Sequence, residues 1–140
     1  MGSLKRVESW PENLAEQIAL AGPRAYVLGE HDCLRFSCAC IEAVTGKDFW
    51  PQFAGYKNKV GAYRTIQSIA PTLKAAVSKV LDVEPQGVLS ARRGDLMLFE
   101  DAGGEHLGIC VGTHVAVLAP EKLHYLPLDH FGLLCSWRIG

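Results

Sequence analysis

The chain has 140 residues, of which 49% are hydrophobic and 21% are charged, and its formal net charge is -1. This composition is typical of a soluble globular protein and excludes an intrinsically disordered chain. The length fits a single domain spanning residues 1–140 with one hydrophobic core. The lysines and arginines are spread among acidic and apolar residues, so the sequence predicts no nucleic-acid partner.

No segment approaches the roughly 18 to 20 apolar residues that cross a bilayer. The N-terminal sequence MGSLKRVESWPEN also lacks the apolar core of a signal peptide. We therefore expect a protein that is made and kept in the cytoplasm unless another machine carries it out, with no insertion into a membrane. Cytoplasmic thiols stay reduced and the cysteine count is 5, an odd number, so no disulfide framework is expected.

The N-terminal half of the chain has helical patterns. In SWPENLAEQIALAG, Ser9 and Glu12 have the spacing of a capping box, and Pro11 falls in the first turn, where its missing N–H costs nothing. Two further helical segments are predicted near Gly61 to Ile69 and Leu73 to Leu81. These three segments predict three helices, which we expect to surround a fourth helix that is more deeply buried.

That buried helix is predicted from Cys33 to about Thr45, with Asp32 as its N-terminal cap and Gly46 as its stop. Its surface is apolar except for one stripe, which favours a central position in the fold.

After EPQG the pattern changes to short apolar strands separated by turn residues. These strands are GDLMLFE, HLGICVG, HVAVLA, KLHYLPL and LLCSWRI. Helices followed by an antiparallel sheet predict an α+β fold.

The segment EHDCLRFSCAC holds three cysteines and a histidine. Cys38 and Cys40 lie two apart in a predicted helix, about 200° around its axis, so they cannot share one metal ion. His31 and Cys33 form a candidate ligand pair, but no second pair stands at ligand spacing. We predict no metal site and no cofactor, and we interpret Cys38 and Cys40 as core residues.

Cys33 differs from the other two cysteines because it lies in the first turn of the predicted helix. Unpaired N–H groups and the positive end of the helix dipole favour a thiolate there. His106, at the start of HLGICVG, is the best-placed base. A cysteine at the start of a buried helix and a histidine on the sheet beside it is how papain-like folds build a nucleophile and base.

The segments YVLGEHDC, RRGDLMLFE and HLGICVG resemble the NlpC-type cell-wall peptidase superfamily. The pattern of that superfamily is Tyr-x-x-Gly, then Asp-Cys at a helix start, Gly-Asp-Leu before a strand, and His-hydrophobic-Gly-Ile on the next strand. The middle stretch TGKDFWPQFAGYKNKVGAYRTI resembles the small NlpC-like proteins that tailed phages and prophages encode among their tail-tip genes. The resemblance implies a papain-like fold with N-terminal helices and a buried central helix packed on a C-terminal antiparallel sheet.

The resemblance makes Cys33 the nucleophile and His106 the base, and it places Tyr26 near the oxyanion site with the Cys33 backbone N–H as a donor. It implies a cysteine peptidase or amidase that hydrolyses peptidoglycan peptides. The protein would be made in the host cytoplasm and located in the virion tail, with tail-tip or hub proteins as partners. Asp95, in the Gly-Asp-Leu motif, is interpreted as a turn-forming residue.

One feature of the superfamily is missing. Its members have a polar residue, often His, about twelve positions after the base, and here that position is Leu118. His114 is a poor substitute: if residues 112–113 form a two-residue turn, His106 pairs with Ala119 and His114 points to the opposite face.

Glu105, Glu121 and His124 remain as candidates to hold the imidazole, and a backbone carbonyl would leave a Cys-His dyad. Because losing the orienting group costs several orders of magnitude in rate, a catalytically decayed structural component of a tail tip or baseplate hub is the alternative. A thiol acyltransferase or deamidase is a third reading. Trp50 and Phe53 could wall a substrate groove.

Overall fold

The computed structural model describes residues 4–140. Its helices are α1 (Trp10–Ala21), α2 (Cys33–Thr45), α3 (Lys59–Ile69) and α4 (Leu73–Leu81). Its strands are β1 (Pro85–Gln86), β2 (Leu96–Asp101), β3 (Gly104–Cys110), β4 (His114–Leu118), β5 (Leu123–Pro127) and β6 (Leu133–Trp137). Short 3-10 turns occupy Trp50–Gln52 and Val88–Ser90. No helix in residues 4–140 is long and apolar enough to cross a membrane.

The predicted α+β architecture is confirmed. The strands form one 6-stranded sheet in the order β1-β6-β2-β3-β4-β5, and all the pairings are antiparallel. The four predicted helices and the five predicted strands are all present. The sequence missed β1 because a two-residue strand is too short to show alternation.

The start of α1 differs from the prediction in one detail. Pro11 lies in the first turn as expected, but the Ser9 side chain makes no capping bond. Its backbone, at φ -88 and ψ 19, is not in the extended conformation that aims a capping oxygen at the helix N–H groups. The Ser9 hydroxyl instead accepts a hydrogen bond from the Asn13 amide at 3.1 Å. The capping-box prediction is therefore wrong.

The predicted limits of α2 are confirmed at both ends. Asp32 is extended, and its carboxylate accepts the Arg35 backbone N–H at 2.8 Å, which is an N-cap bond. Gly46 ends the helix at φ 79, a left-handed conformation that glycine adopts without steric cost. Most of the helix is buried between α1 and the sheet, as expected for the centre of the fold.

The two faces of the sheet contribute to different clusters. Leu98, Leu107 and Ile109 point toward α2 and join the main core, whereas Phe99 and Cys110 belong to a second cluster on the other face. Successive residues of a strand alternate between faces. On β3, the odd-numbered side chains therefore face α2 and the even-numbered ones face away.

The turn between β3 and β4 has the predicted register. Ile109 pairs with Ala116, and the Val111 N–H donates to the His114 carbonyl at 2.8 Å. This is the pairing expected for a two-residue turn.

Asp95 closes a local turn and connects it to two distant parts of the chain. Its buried carboxylate accepts the backbone N–H of Arg92 at 2.8 Å, which closes the predicted turn before β2. It also accepts the Ile139 N–H at 2.9 Å and the Arg6 guanidinium at 3.0 Å. The segments before α1 and after β6 are thus tied to the same end of the sheet.

Replacing Asp95 with Asn should lower the free energy of unfolding by about 3 kcal/mol, because the partly buried Arg6 guanidinium then lacks its counter-charge. Urea unfolding at neutral pH measures this change. The matched substitution Asp129→Asn lies on an exposed loop and should change stability by less than about 0.5 kcal/mol. Equal effects of the two substitutions would contradict the role given to Asp95.

Candidate active-site cleft

A cleft of about 480 Å³ lies between α3, the start of α2 and the start of β3. Its polar and aromatic lining comes from Tyr26, Asp32, Cys33, Tyr56, Lys59, Tyr63, Gln67, Glu105 and His106. The three site residues predicted from the sequence, Tyr26, Cys33 and His106, all border this cleft. Tyr26 lies beside Cys33, whereas the contacts of the His106 side chain are with other residues.

Cys33 is the first residue of α2 and is half-buried. Burial raises the pKa of its thiol to about 11, although the backbone N–H groups of Leu107 and Leu34 act in the opposite direction. The nearby Asp32 carboxylate raises the pKa further. Burial therefore opposes the N–H groups that were expected to favour a thiolate at this helix start.

The carboxylate of Asp32 is buried and accepts three hydrogen bonds. It accepts the backbone N–H groups of Gly29 and Arg35, both at 2.8 Å, and the Tyr56 hydroxyl donates to it. The hydrogen bond from the Arg35 N–H confirms the predicted role of Asp32 as the N-terminal cap. The Tyr56 contact, from a residue 24 positions away, was not predicted.

A tight turn precedes α2 and is closed by a bridge between Val27 and His31. Gly29 lies at its tip with φ +83, and a Cβ atom there would lie 2.1 Å from the Tyr56 carbonyl oxygen. Only glycine permits this approach. The turn and the connection that contains Tyr56 are therefore in direct contact.

Tyr26 lies beside Cys33, as the sequence predicted. Burial raises the pKa of the phenol above its ordinary value, and the backbone N–H of Cys33 acts in the opposite direction. Tyr26 is therefore close to the N–H that was expected to serve an oxyanion.

His106 borders the cleft, but its side chain points to the face of the sheet that carries Phe99. Its ring stacks on Phe99 with centroids 5.0 Å apart, and its Nε2 is 3.0 Å from the Asp101 carboxylate. Its neighbour Leu107 points into the core toward α2. No hydrogen bond or ion pair among residues 4–140 joins His106 to Cys33. The structure brings Cys33 and Tyr26 together, but not Cys33 and His106.

Asp101 is the residue that sequence reasoning missed. A tight hairpin pairs Asp101 with Gly104, so its carboxylate reaches the imidazole on the same face of the sheet. The segment FEDAGGEH carried the signal for this contact. A two-residue turn at residues 102–103 would have placed Asp101 on the same face as His106.

The other candidates for holding the imidazole do not contact it. Glu105 faces α2, while Glu121 and His124 pair with each other at 3.7 Å beside the turn between β4 and β5. Leu118 occupies the position where the superfamily has its polar residue. It is buried in the main core, and its surroundings there are apolar. His114 is exposed and bonds Thr113.

The loop after α2 contributes Tyr56 to the cleft rather than the residues expected. Phe53 is buried in the core, and the Trp50 ring packs edge-on against Tyr56 with centroids 5.9 Å apart. Cys38 and Cys40 are buried, as predicted, and burial raises the pKa of both thiols. The five cysteines form no disulfide, and no group of three metal-ligating side chains occurs in residues 4–140.

A family model described as a domain of unknown function, DUF6950, matches residues 5–139. The chain belongs to this family. A search of curated proteins finds no match. The family match covers α1 to β6, so the cleft and its surroundings are all part of the DUF6950 domain.

Replacing Tyr56 with Phe removes one of the donors to the buried Asp32 carboxylate. We expect the free energy of unfolding to fall by about 1–3 kcal/mol, the usual cost of leaving a buried polar group short of a partner. Tyr63→Phe is the control, because Tyr63 lines the same cleft but is 64% exposed. Urea unfolding that shows no difference between the two variants would contradict this assignment.

Proposed function

We propose that this DUF6950 protein is an NlpC-type, papain-like domain of a phage tail tip that binds a peptide in its cleft without hydrolysing it. The separation of His106 from Cys33 carries this proposal. The papain-like assignment is supported by the position of Cys33, at the start of a buried helix that packs on the strand carrying His106. The tail-tip placement is supported by the sequence resemblance of the stretch from Thr45 to Ile66.

Nucleophilic catalysis by a thiol needs a base within about 2.6–3.2 Å of the sulfur. Here the imidazole of His106 stacks on Phe99 and bonds Asp101, and neither contact brings it to Cys33. In this conformation no histidine base contacts the Cys33 thiol within residues 4–140.

The cleft remains suitable for binding. Its volume of about 480 Å³ lies within the range of ligand sites, roughly 300–1,000 Å³. Leu28, Ala62 and Ile66 provide apolar surface, and Lys59 and Gln67 provide polar groups from α3. This combination suits a short peptide, and the superfamily resemblance makes a peptidoglycan peptide the first ligand to test. In a tail tip, neighbouring hub proteins would hold the domain against the cell wall.

The cysteine peptidase or amidase reading is the second candidate. It is favoured by the backbone N–H groups around the Cys33 sulfur and by the contact between Tyr26 and the Cys33 N–H. In that reaction the sulfur would attack a carbonyl, His106 would accept the thiol proton, and water would release the acyl group. It requires an arrangement of β3 in which His106 faces α2.

The pH dependence of iodoacetamide labelling at Cys33 separates the two. With a pKa of about 11, the labelling rate should rise about tenfold per pH unit from pH 7 to 10, since only the thiolate reacts. His106→Ala should leave that profile unchanged, as should the control His114→Ala. Peptide mass mapping assigns the label to Cys33.

Rapid labelling below pH 7 that is lost in His106→Ala would overturn the non-catalytic proposal and support the peptidase. Binding is tested in the same assay at pH 10, where soluble peptidoglycan peptides should slow the labelling of Cys33. Lack of protection by these peptides would exclude them as ligands of the cleft.

A further inference from the structure

Four exposed carboxylates gather where β2 ends and β3 begins. Glu100, Asp101 and Glu105 lie on the β2–β3 hairpin. Asp129 lies on the loop before β6, which is attached to the same place because the Glu100 N–H donates to the Gly132 carbonyl at 2.9 Å. We call these residues and this loop the acidic end.

Arginines gather at the opposite end of the same strands, where β2 begins and β3 ends. This basic end consists of Arg6, Arg92, Arg93 and Arg138. Asp95 pairs with three of them, with separations of 3.0 Å to Arg6, 3.9 Å to Arg92 and 3.8 Å to Arg138. Arg92 also donates to the Gly140 carbonyl oxygen at 2.8 Å. Arg6 is mostly enclosed, so Arg92, Arg93 and Arg138 provide the accessible positive charge at this end.

Each end also has an apolar feature. At the acidic end, Phe131 is 95% exposed and stacks on the ring of His130, with centroids 4.8 Å apart. At the basic end, a depression of about 380 Å³ is lined by Ala15, Ile18, Arg93, Val111 and Tyr125. A fully exposed phenyl ring on one end and an open apolar depression on the other are complementary in shape and chemistry.

We propose that copies of this chain associate head to tail, with Phe131 of one copy in the depression of the next. The acidic end of the first copy then faces the arginines of the second. Because two different surfaces meet, the contact is heterologous and builds a ring or an open filament rather than a closed two-fold dimer. Phe131 and the depression lie outside the cleft, although Glu105 of the acidic end also borders it, and the interface does not depend on the function proposed for the cleft.

A second copy is a better occupant than nucleic acid. The net charge of the chain is -1, and a nucleic-acid site would need a longer basic stripe than four arginines around a buried carboxylate. The complementary surface is instead present on the chain itself. Its two halves lie at opposite ends of a six-residue strand, about 20 Å apart at roughly 3.4 Å per residue, so one copy cannot satisfy both.

Sedimentation velocity over about a hundredfold range of protein concentration tests the proposal. The wild-type protein should sediment faster as concentration rises, and added salt should weaken the association because the charged contacts are screened. Phe131→Ser and Arg93→Glu should each weaken it at least about tenfold. Val60→Ser and Arg64→Glu are matched controls at exposed positions on α3 and should leave it unchanged.

Mixing the two weakened variants tests the head-to-tail geometry. The Phe131→Ser copy keeps an intact basic end and the Arg93→Glu copy keeps Phe131, so a mixture should form one-to-one pairs and stop there. A wild-type protein that stays monomeric throughout, or association that both variants leave unchanged, would overturn the proposal. A mixture that fails to pair, when each variant alone is also monomeric, would overturn the heterologous contact.

Discussion

The carboxylate of Asp32 is the contact on which the cleft depends. It satisfies a backbone N–H at the start of α2 and another in the turn at Gly29, and it accepts the hydroxyl of Tyr56. These three donors belong to the central helix, the turn that carries Tyr26, and the connection to α3. One buried charge therefore positions the helix start, one wall of the cleft, and the connection that leads into the opposite wall.

The alternation of side chains along β3 is the second constraint. Once Leu107 and Ile109 pack on α2, His106 must lie on the opposite face. A shift of one residue in this strand would exchange the two sets and bring the imidazole toward Cys33. It would also move two large apolar side chains out of the main core, so core packing fixes the chemistry available to the cleft.

Much of the fold could be predicted because its signals are local. Asp32 and Gly46 mark the ends of α2, and a two-residue turn sets the register between β3 and β4. The face on which His106 lies could not be predicted in this way. In HLGIC both alternating sets are apolar apart from His106 itself, so the pattern does not say which set faces the helix. The pKa of Cys33 and the contact from Tyr56 depend on tertiary burial, which has no local signal.

All five thiols of this protein are affected by burial, and burial changes how readily they are oxidised. Burial raises the pKa of all five cysteines. Oxidation by peroxide and exchange with disulfides both proceed through the thiolate. If the protein is carried out of the reducing cytoplasm, as a tail-tip location would require, its cysteines react slowly with oxidants. A chain with an odd number of thiols can then reach an oxidising environment without forming covalent cross-links between copies.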